Sequence, residues 1–577
     1  MDKKVLFKKI INLLKHEKFL ILLTLVLSLI TTIISLLLPF IFGKAIDLII
    51  GINNVNFSKI NNYTILLVVI ILCYSILNWI TNLINNKIAY NTIRTIRNRL
   101  FTKLERLPIS FLDQKSTGEV VNTIITDTEV LGEGILMTLT QFFTSIITII
   151  GVIVLMFILN LYIALFVILF TPLSLFVAKW ISKNSFNLFK EQADKRGIQT
   201  SLIDEFIGNQ KIIQSLSYEN NAYKRFVVQN ESLANTSLKA TFITSLVNPS
   251  TRFINALIYA GVALIGSLII INNPLALTIG SISALLGYAN QFSKPFNEIT
   301  SVIAELSNAF ACSERIFMFL ETSEEKDDGI IDSLNEIETI SIENLEFSYN
   351  KNNKLIENFN IDVKNGERIA IVGPTGCGKT TIINLLMRFY EKDNGDIKIN
   401  EQSIYNMKRK TLRKNIGMVL QDTWLMNDTI KNNITMNKEY PFKDIINVCK
   451  KCHLLSYINA LPQGFDTIIN EGGTNLSNGQ KQLICIARVM LKNPNILILD
   501  EATSDIDTRT EILVQKAFNQ LMKNKTSFIV AHRLQTIVDA DKIIVMNHGK
   551  IVEIGRHDQL ISNDGFYKEI FKAQFQN

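Results

Sequence analysis

Charge is scarce in this chain: 19% of its 577 residues are Asp, Glu, Lys or Arg, against about 25% in an ordinary soluble protein. A soluble fold of this length needs more charge to cover its surface. A membrane portion is therefore expected, and a hydrophobic share of 48% with a mean hydropathy of +0.23 agrees. Proline (10) and glycine (26) are too few for a collagen-like or low-complexity chain, and 6 cysteines are too few for a disulfide scaffold. Positive charge is in small excess, Lys+Arg 59 against Asp+Glu 52, net +7. That balance does not point to nucleic acid, and no nucleic-acid partner is expected. Asn, Ile and Lys are abundant, as in an AT-rich bacterial coding sequence. At about 150 residues per domain, the length predicts more than one domain.

Long apolar runs are present, and they stop before residue 310. Six candidate spans occupy roughly 19–42, 63–83, 140–159, 162–180, 240–271 and 275–292, each near the ~20 residues a bilayer needs. Asn160-Leu161 separates the third from the fourth, and Asn272-Asn273-Pro274 the fifth from the sixth, which reads as two tight hairpins. These hairpins have no Lys or Arg. The N-terminus and the long, helix-like connections 83–139 and 181–238 are rich in both. The positive-inside rule then places both termini and both long connections in the cytoplasm of a multi-pass plasma-membrane protein. The first run is too long for a signal peptide, and no small-residue cleavage pattern follows it. Before it, apolar residues at 6, 7, 10, 11, 13 and 14 alternate with lysines. That spacing fits either a helix in the membrane interface or a cytoplasmic extension of the first span.

Residues 321–338 turn polar and acidic and read as a linker. Beyond them, short β-rich runs alternate with amphipathic helices, a soluble α/β pattern. The expected domains are 1–320 in the membrane, the linker, and 339–577.

The apolar run Ile369-Ala370-Ile371-Val372 leads into Gly373-Pro374-Thr375-Gly376-Cys377-Gly378-Lys379-Thr380, and a helix opens at Thr381. Strand, glycine-rich loop and helix in this order form a P-loop. Its backbone N–H groups turn onto phosphates, Lys379 reaches the β- and γ-phosphates, and the Thr380 hydroxyl suits Mg²⁺. The strand Ile496-Leu497-Ile498-Leu499 ends in Asp500-Glu501, with Asp500 as the Mg²⁺ partner and Glu501 as the general base.

Between them, Leu476-Ser477-Asn478-Gly479-Gln480 resembles the signature sequence of ABC transporters, with Asn478 in place of the first of two glycines. Further residues resemble family motifs in the right order. Tyr349 resembles the aromatic that stacks on adenine. Gln421, before Asp422, resembles the glutamine that senses Mg²⁺ and water. Glu471-Gly472-Gly473 precedes the signature as in exporters, Ser504-Asp505-Ile506-Asp507 resembles the loop crossing the dimer interface, and His532 before Arg533 resembles the γ-phosphate switch. Phe111-Leu112-Asp113 with Thr117, Gly118 and Asp127 resembles the first cytoplasmic loop of six-span exporters, and Glu205, Gly208 and Glu219 the second.

The resemblance implies a six-helix membrane bundle followed by an α/β P-loop ATPase domain with antiparallel β and helical subdomains. It implies ATP and Mg²⁺ as ligands and ATP-driven export by alternating access. Glu501, His532 and Gln421 would be catalytic, with Thr380, Gln421 and Asp500 around the metal. Ser477, Asn478, Gly479 and Gln480 would complete the site of a second half-transporter. Asn478 departs from the usual glycine, and Leu483 stands where many homodimeric exporters have Arg. The runs Glu471-Gly472-Gly473-Thr474-Asn475-Leu476-Ser477 and Thr503-Ser504-Asp505-Ile506-Asp507-Thr508 resemble the competent chain of heterodimeric bacterial multidrug exporters. A heterodimer is therefore expected over a homodimer. The apolar, aromatic spans favour amphipathic, drug-like, lipid or peptide cargo, with a lipid flippase as the alternative. Six spans argue against a soluble ABC ATPase of DNA repair or translation. Retention of Glu501 and His532 argues against an ATP-gated channel or receptor.

Asn78, Asn82, Arg252, Lys294, Glu298 and Glu305 are candidates for the substrate path. Arg252 and Glu298 are equally readable as a structural ion pair. Cys449-Lys450-Lys451-Cys452-His453 matches a haem-attachment pattern, but on the cytoplasmic side and within a helix it is read as neither haem nor zinc. Cys377 is read as a neutral P-loop occupant, and Cys73, Cys312 and Cys485 as buried apolar residues.

Overall fold

In a bilayer each backbone N–H and C=O must bond within its own segment, so apolar runs of this length have to be helices. The computed structural model describes residues 3–49, 55–273, 275–334, 336–350, 354–420, 423–470, 473–500, 507–530 and 537–575. They form two compact units, Met1–Glu105 with Ser116–Thr322, and Arg106–Lys115 with Ser323–Asn577.

The first unit opens with α1 (Lys3–Leu14), α2 (Lys18–Asp47) and α3 (Phe57–Leu104). The short α4 (Ile109–Asp113) belongs to the second unit. Then come α5 (Thr117–Asn122), α6 (Thr128–Met137) and α7 (Phe143–Leu159), joined through π-turns at Thr123–Asp127 and Thr138–Phe142. The remaining helices are α8 (Leu161–Gly208), α9 (Gln210–Ser215), α10 (Glu219–Ser245), α11 (Val247–Asn272) and α12 (Ile279–Glu321).

The expected apolar runs fall on helix except at residue 246 and at residues 275–278, which precede α12. Lys4–Asp47, Phe57–Leu104, Thr117–Leu159 and Glu219–Asn272 are long and apolar enough to cross a membrane, by length and composition. The fourth and sixth spans lie in α8 and α12. With 48 residues each, α3 and α8 run roughly 72 Å at 1.5 Å per residue, against a hydrocarbon core of about 30 Å. Much of each long basic connection is thus a continuation of its span. The 240–271 run is interrupted: α10 ends at Ser245 and α11 begins at Val247. Pro249 accounts for this, because its ring clashes with the carbonyl four residues back and it offers no N–H. Asn160 makes the first hairpin sharp, its side chain capping α8 by accepting from the Ile163 N–H at 3.1 Å.

Close contacts fix α2 against α12. A Cβ on Gly43 would lie 2.3 Å from the Gly280 carbonyl oxygen, so only glycine allows this crossing. The Asp47 carboxylate accepts from the Gly280 N–H (2.7 Å) and the Thr278 hydroxyl (2.8 Å), closing the start of α12. The buried Tyr288 hydroxyl donates to the Leu36 carbonyl at 2.7 Å. Around them Leu36, Val152, Ile163, Val262 and Leu285 form an apolar core. Asp127, on the first π-turn, is buried and takes a two-pronged ion pair from Arg315 of α12, at 2.8 and 2.6 Å. Next to it Arg97 of α3 donates to Thr128 (3.0 Å) and Glu129 (2.7 Å).

In the second unit, β1 (Thr339–Phe347), β2 (Ile356–Lys364), β4 (Asn394–Ile399) and β5 (Gln402–Ser403) form an antiparallel sheet in the order β2-β1-β4-β5. The second sheet, β10-β9-β3-β8-β7-β6, comprises β3 (Arg368–Val372), β6 (Ile416–Val419), β7 (Ile496–Asp500), β8 (Thr526–Val530), β9 (Lys542–Asn547) and β10 (Lys550–Gly555). Strands β9, β3, β8, β7 and β6 are mutually parallel, and β10 adds antiparallel at one edge. Side chains alternate across the sheet. Ile369, Ile371, Phe528 and Ile498 face one core; Ala370, Val372, Ile529 and Leu499 face the other. The acidic linker is tied down by arginines: Glu325 pairs with Arg413 (2.8 Å) and Asp327 accepts from the Arg409 N–H (2.7 Å).

Candidate nucleotide site

The parallel register gathers the predicted catalytic segments along one edge. Ile371 pairs with Val530, Asp500 with Val530, and Val419 with Leu499. The C-terminal ends of β3, β8, β7 and β6 are therefore neighbours. They lead in turn into the P-loop, His532, Asp500-Glu501 and Gln421, which is how open parallel sheets build ligand sites. Gln421, Asp422, Glu471, Gly472, Glu501, residues 503–506 and residues 531–533 lie outside the described residues.

The P-loop requires its glycines. Gly373 has φ +155°, and a Cβ there would meet the Met546 carbonyl oxygen at 2.3 Å. Gly378, at φ +102°, caps α13 (Lys379–Leu386), whose first N–H groups and dipole face the loop. The Lys379 ammonium folds back onto the Gly373 (2.8 Å) and Pro374 (2.9 Å) carbonyls, within the loop it would cross to reach a phosphate. Thr375, Gly376 and Thr380 are exposed. Cys377 is buried, and burial pushes its thiol up. Thr381 is buried behind the loop, its hydroxyl 3.4 Å from that of Tyr349.

Tyr349 is half-exposed and edge-packed on Phe347 and Tyr390, both at 4.9 Å between ring centres. The Tyr390 hydroxyl donates to the carboxylate of Asp113 on α4. Burial and that carboxylate hold the hydroxyl well above the ordinary tyrosine range. The aromatic predicted to meet adenine thus touches, through one ring, the cytoplasmic segment predicted to dock on the ATPase. Sequence reasoning missed Tyr390.

The remaining helices of this unit are α14 (Arg409–Asn415), α15 (Ile430–Thr435), α16 (Phe442–Lys451), α17 (Leu455–Ala460), α18 (Asn478–Lys492) and α19 (Thr508–Met522). The signature opens α18. Ser477 accepts from the Gln480 N–H (3.3 Å) and the Gln480 side chain accepts from the Ser477 N–H (2.9 Å), a reciprocal cap. Asn478 is the first helical residue and is exposed, whereas Gly479 is buried. Asn478 is not among the positive-φ residues, so asparagine there is unstrained and leaves the helix N-terminus intact. Leu483 is buried in the adjoining core, so this departure packs the chain's own interior. Asp507 caps α19, and the Thr510 N–H holds its carboxyl below the usual range.

Thr380 at the start of α13 and Asp500 at the end of β7 are hard oxygen donors, a donor type that fits Mg²⁺. Among the described residues no group of three or more His, Cys, Asp and Glu has metal-holding geometry. Cys449 and Cys452 are buried, and burial pushes both thiols up to about 12.

In the membrane unit, Glu298 accepts from Ser145 (2.7 Å) and pairs with Lys294 (3.6 Å). Among the described residues it does not pair with Arg252. Asn78 and Asn82 are exposed. The fully buried amide of α3 is Asn85, one turn on, whose side-chain atoms have no partner among the described residues. Cys73 is exposed, not buried as expected, because that stretch of α3 faces outward; Cys312 and Cys485 are buried.

A P-loop ATPase joined to a helical membrane unit is the plan of a membrane transporter that consumes nucleotide. A family model described as the ABC transporter transmembrane region matches residues 21–296, and one described as ABC transporter matches 356–504. The uncharacterized ABC transporter ATP-binding protein YfiC of Bacillus subtilis is 36% identical over 578 residues, 100% of this chain and 95% of that protein. A fatty acid ABC transporter ATP-binding/permease protein of Mycobacterium bovis is 34% identical, over 91% of this chain and 84% of its own length. An ATP-dependent lipid A-core flippase of Haemophilus influenzae is 31% identical, over 92% and 90%. The solved structure of a bacterial Atm1-family ABC exporter with ATP bound superimposes with a TM-score of 0.76 at 26% identity, covering 100% of this chain and 99% of that one. The chain belongs to the ABC transporter family. It is an exporter-type half-transporter in which ATP hydrolysis is coupled to transport.

Proposed function

We propose that this chain exports amphipathic, lipid-like molecules from a bacterial cytoplasmic membrane, as one half of a heterodimer whose ATPase domains are cytoplasmic. The convergence of four parallel strand ends on the P-loop supports the ATPase half of this reading. Lys379 neutralises the β- and γ-phosphates, and Tyr349 presents a ring face to adenine. Glu501 takes the proton of the attacking water, while His532 and Gln421 orient the γ-phosphate and that water. Thr380, Asp500 and Gln421 would hold Mg²⁺, which supplies charge neutralisation between phosphates. Ser477, Gly479 and the α18 N-terminus serve the nucleotide on the partner's P-loop. Cytoplasmic α4 carries closure to the membrane helices through Asp113 and Tyr390.

Lipid-like cargo is favoured by the apolar spans and by relatives named for fatty acid and lipid A-core. Asn478 favours a heterodimer: its side chain stands at the helix start that a partner's phosphate approaches, where the resembled pattern has glycine. Two assays test the reading. Long-chain fatty acids should stimulate ATPase activity of the chain in vesicles, and water-soluble peptides should not. The product of a neighbouring transporter gene should raise that activity. A stable homodimer with full activity, unchanged by the second chain, would reject the heterodimer.

A further inference from the structure

The first membrane unit holds an apolar groove of about 210 Å³ between α1, α6, α7 and α12. It is larger than the roughly 150 Å³ apolar cavity that stays dry and accepts small hydrocarbons. Every lining side chain is apolar except Thr138, and the Thr138 hydroxyl is already bonded to the Gly134 carbonyl at 2.7 Å. Water therefore finds no partners there.

The helix α1 forms one wall with Phe7, Ile10, Ile11 and Leu14, spaced to share one face. Phe7 and Ile11 remain 55% and 45% exposed, so the groove opens outward. The opposite side of α1 is anchored: Leu6 is buried, and Lys9 pairs with Glu321 and lies over the Phe317 ring. At about 100° per residue, Lys8 and Lys15 stand roughly a quarter turn from the groove-lining face, on the side away from Leu6. Lys8, Lys15 and the following Lys18 are exposed, and among the described residues none has an acidic partner.

We propose that this groove binds one acyl chain of an anionic phospholipid, with its phosphate held by Lys8, Lys15 and Lys18. The occupant must be long, thin and apolar at one end to fill the groove, and negatively charged at the other to meet the lysines. A phospholipid of the cytoplasmic leaflet has both, and basic helices at that leaflet attract anionic headgroups. The site is separate from the nucleotide site and makes α1 a lipid clamp that couples α1 to α6 and α12.

The test uses the full chain in phosphatidylcholine nanodiscs containing phosphatidylglycerol with a diazirine at its acyl terminus. After illumination, labels should concentrate in peptides carrying residues 131–143 and 306–310. Unlabelled phosphatidylglycerol should compete at least about tenfold better than phosphatidylcholine. Lys8→Gln/Lys15→Gln/Lys18→Gln, which alters exposed side chains only, should bring that ratio toward one. Leu139→Trp should remove the localised label by filling the groove. Labels spread evenly over the lipid-facing helices, or equal competition by both lipids, would overturn the proposal. So would an unchanged headgroup preference in the triple lysine variant.

Discussion

Replacing Arg315 by Leu strands a carboxylate. The Asp127 side chain is 2% exposed and that of Arg315 50%, so the two halves of the pair are not equivalent. Without Arg315, Asp127 keeps its burial and loses both strong hydrogen bonds; breaking a buried pair this way costs about 3–5 kcal/mol. Asp127→Leu instead leaves a guanidinium that water already reaches, and should cost only about 1–2 kcal/mol. Replacing both residues with Leu removes the stranded charge, so the double variant should be more stable than Arg315→Leu alone. Residual ATPase activity after graded heating in detergent gives the ordering: wild type, then Asp127→Leu, with Arg315→Leu lowest. The reasoning is refuted if Asp127→Leu is the worse single variant, or if the double variant loses the sum of both.

Three further expectations concern separate regions. Tyr390→Phe removes the hydroxyl donated to Asp113 and keeps the ring beside Tyr349; ATP hydrolysis should persist while transport per ATP falls, and unchanged transport per ATP would exclude that contact from coupling. Cys449 and Cys452, with thiols raised to about 12, should resist alkylation at pH 8 until the domain unfolds. Because these folded-state values lie above that of a free thiol, their contribution to stability is full below about pH 8.5 and declines as pH rises toward 12. Rapid labelling of the native protein at pH 8 would contradict their burial. A single cysteine at Asn273 should react with an impermeant reagent outside intact cells and one at Asn209 should not; the opposite pattern would invert the topology.

Periodicity and motif order carried much of this architecture. Ile369–Val372 of β3 and Ile496–Leu499 of β7 are buried on both faces and so read as unbroken apolar runs, which made the P-loop and Asp500 visible. The hairpin at Asn160 was visible because a short polar break between two apolar runs is a local signal. Other features depended on distant contacts. Tyr390 and Asp113 are 277 positions apart, and nothing in either neighbourhood names the other. Asn78, Asn82 and Asn85 look alike in sequence, and only packing separates the two exposed amides from the buried one. Pro249 is a local signal for the break near 246, but it was outweighed by the continuous apolar pattern around it. The pairing of Arg252 with Glu298 looked plausible by charge alone, yet Ser145 and Lys294 take the carboxylate instead.

In the proposed mechanism ATP is hydrolysed at the site built on Lys379, with Glu501 as the base. The most direct measurement compares ATP binding and steady-state turnover of Glu501→Gln with wild type, reconstituted in vesicles, with Lys379→Ala as the inactive reference. The amide keeps the shape of the side chain but cannot accept the water's proton, a role worth typically about 10²–10⁴-fold. Glu501→Gln should bind ATP as wild type does, lose turnover by that factor, and accumulate as an ATP-bound closed dimer. Near-wild-type turnover, in a preparation whose activity vanishes with Lys379→Ala, would contradict the account.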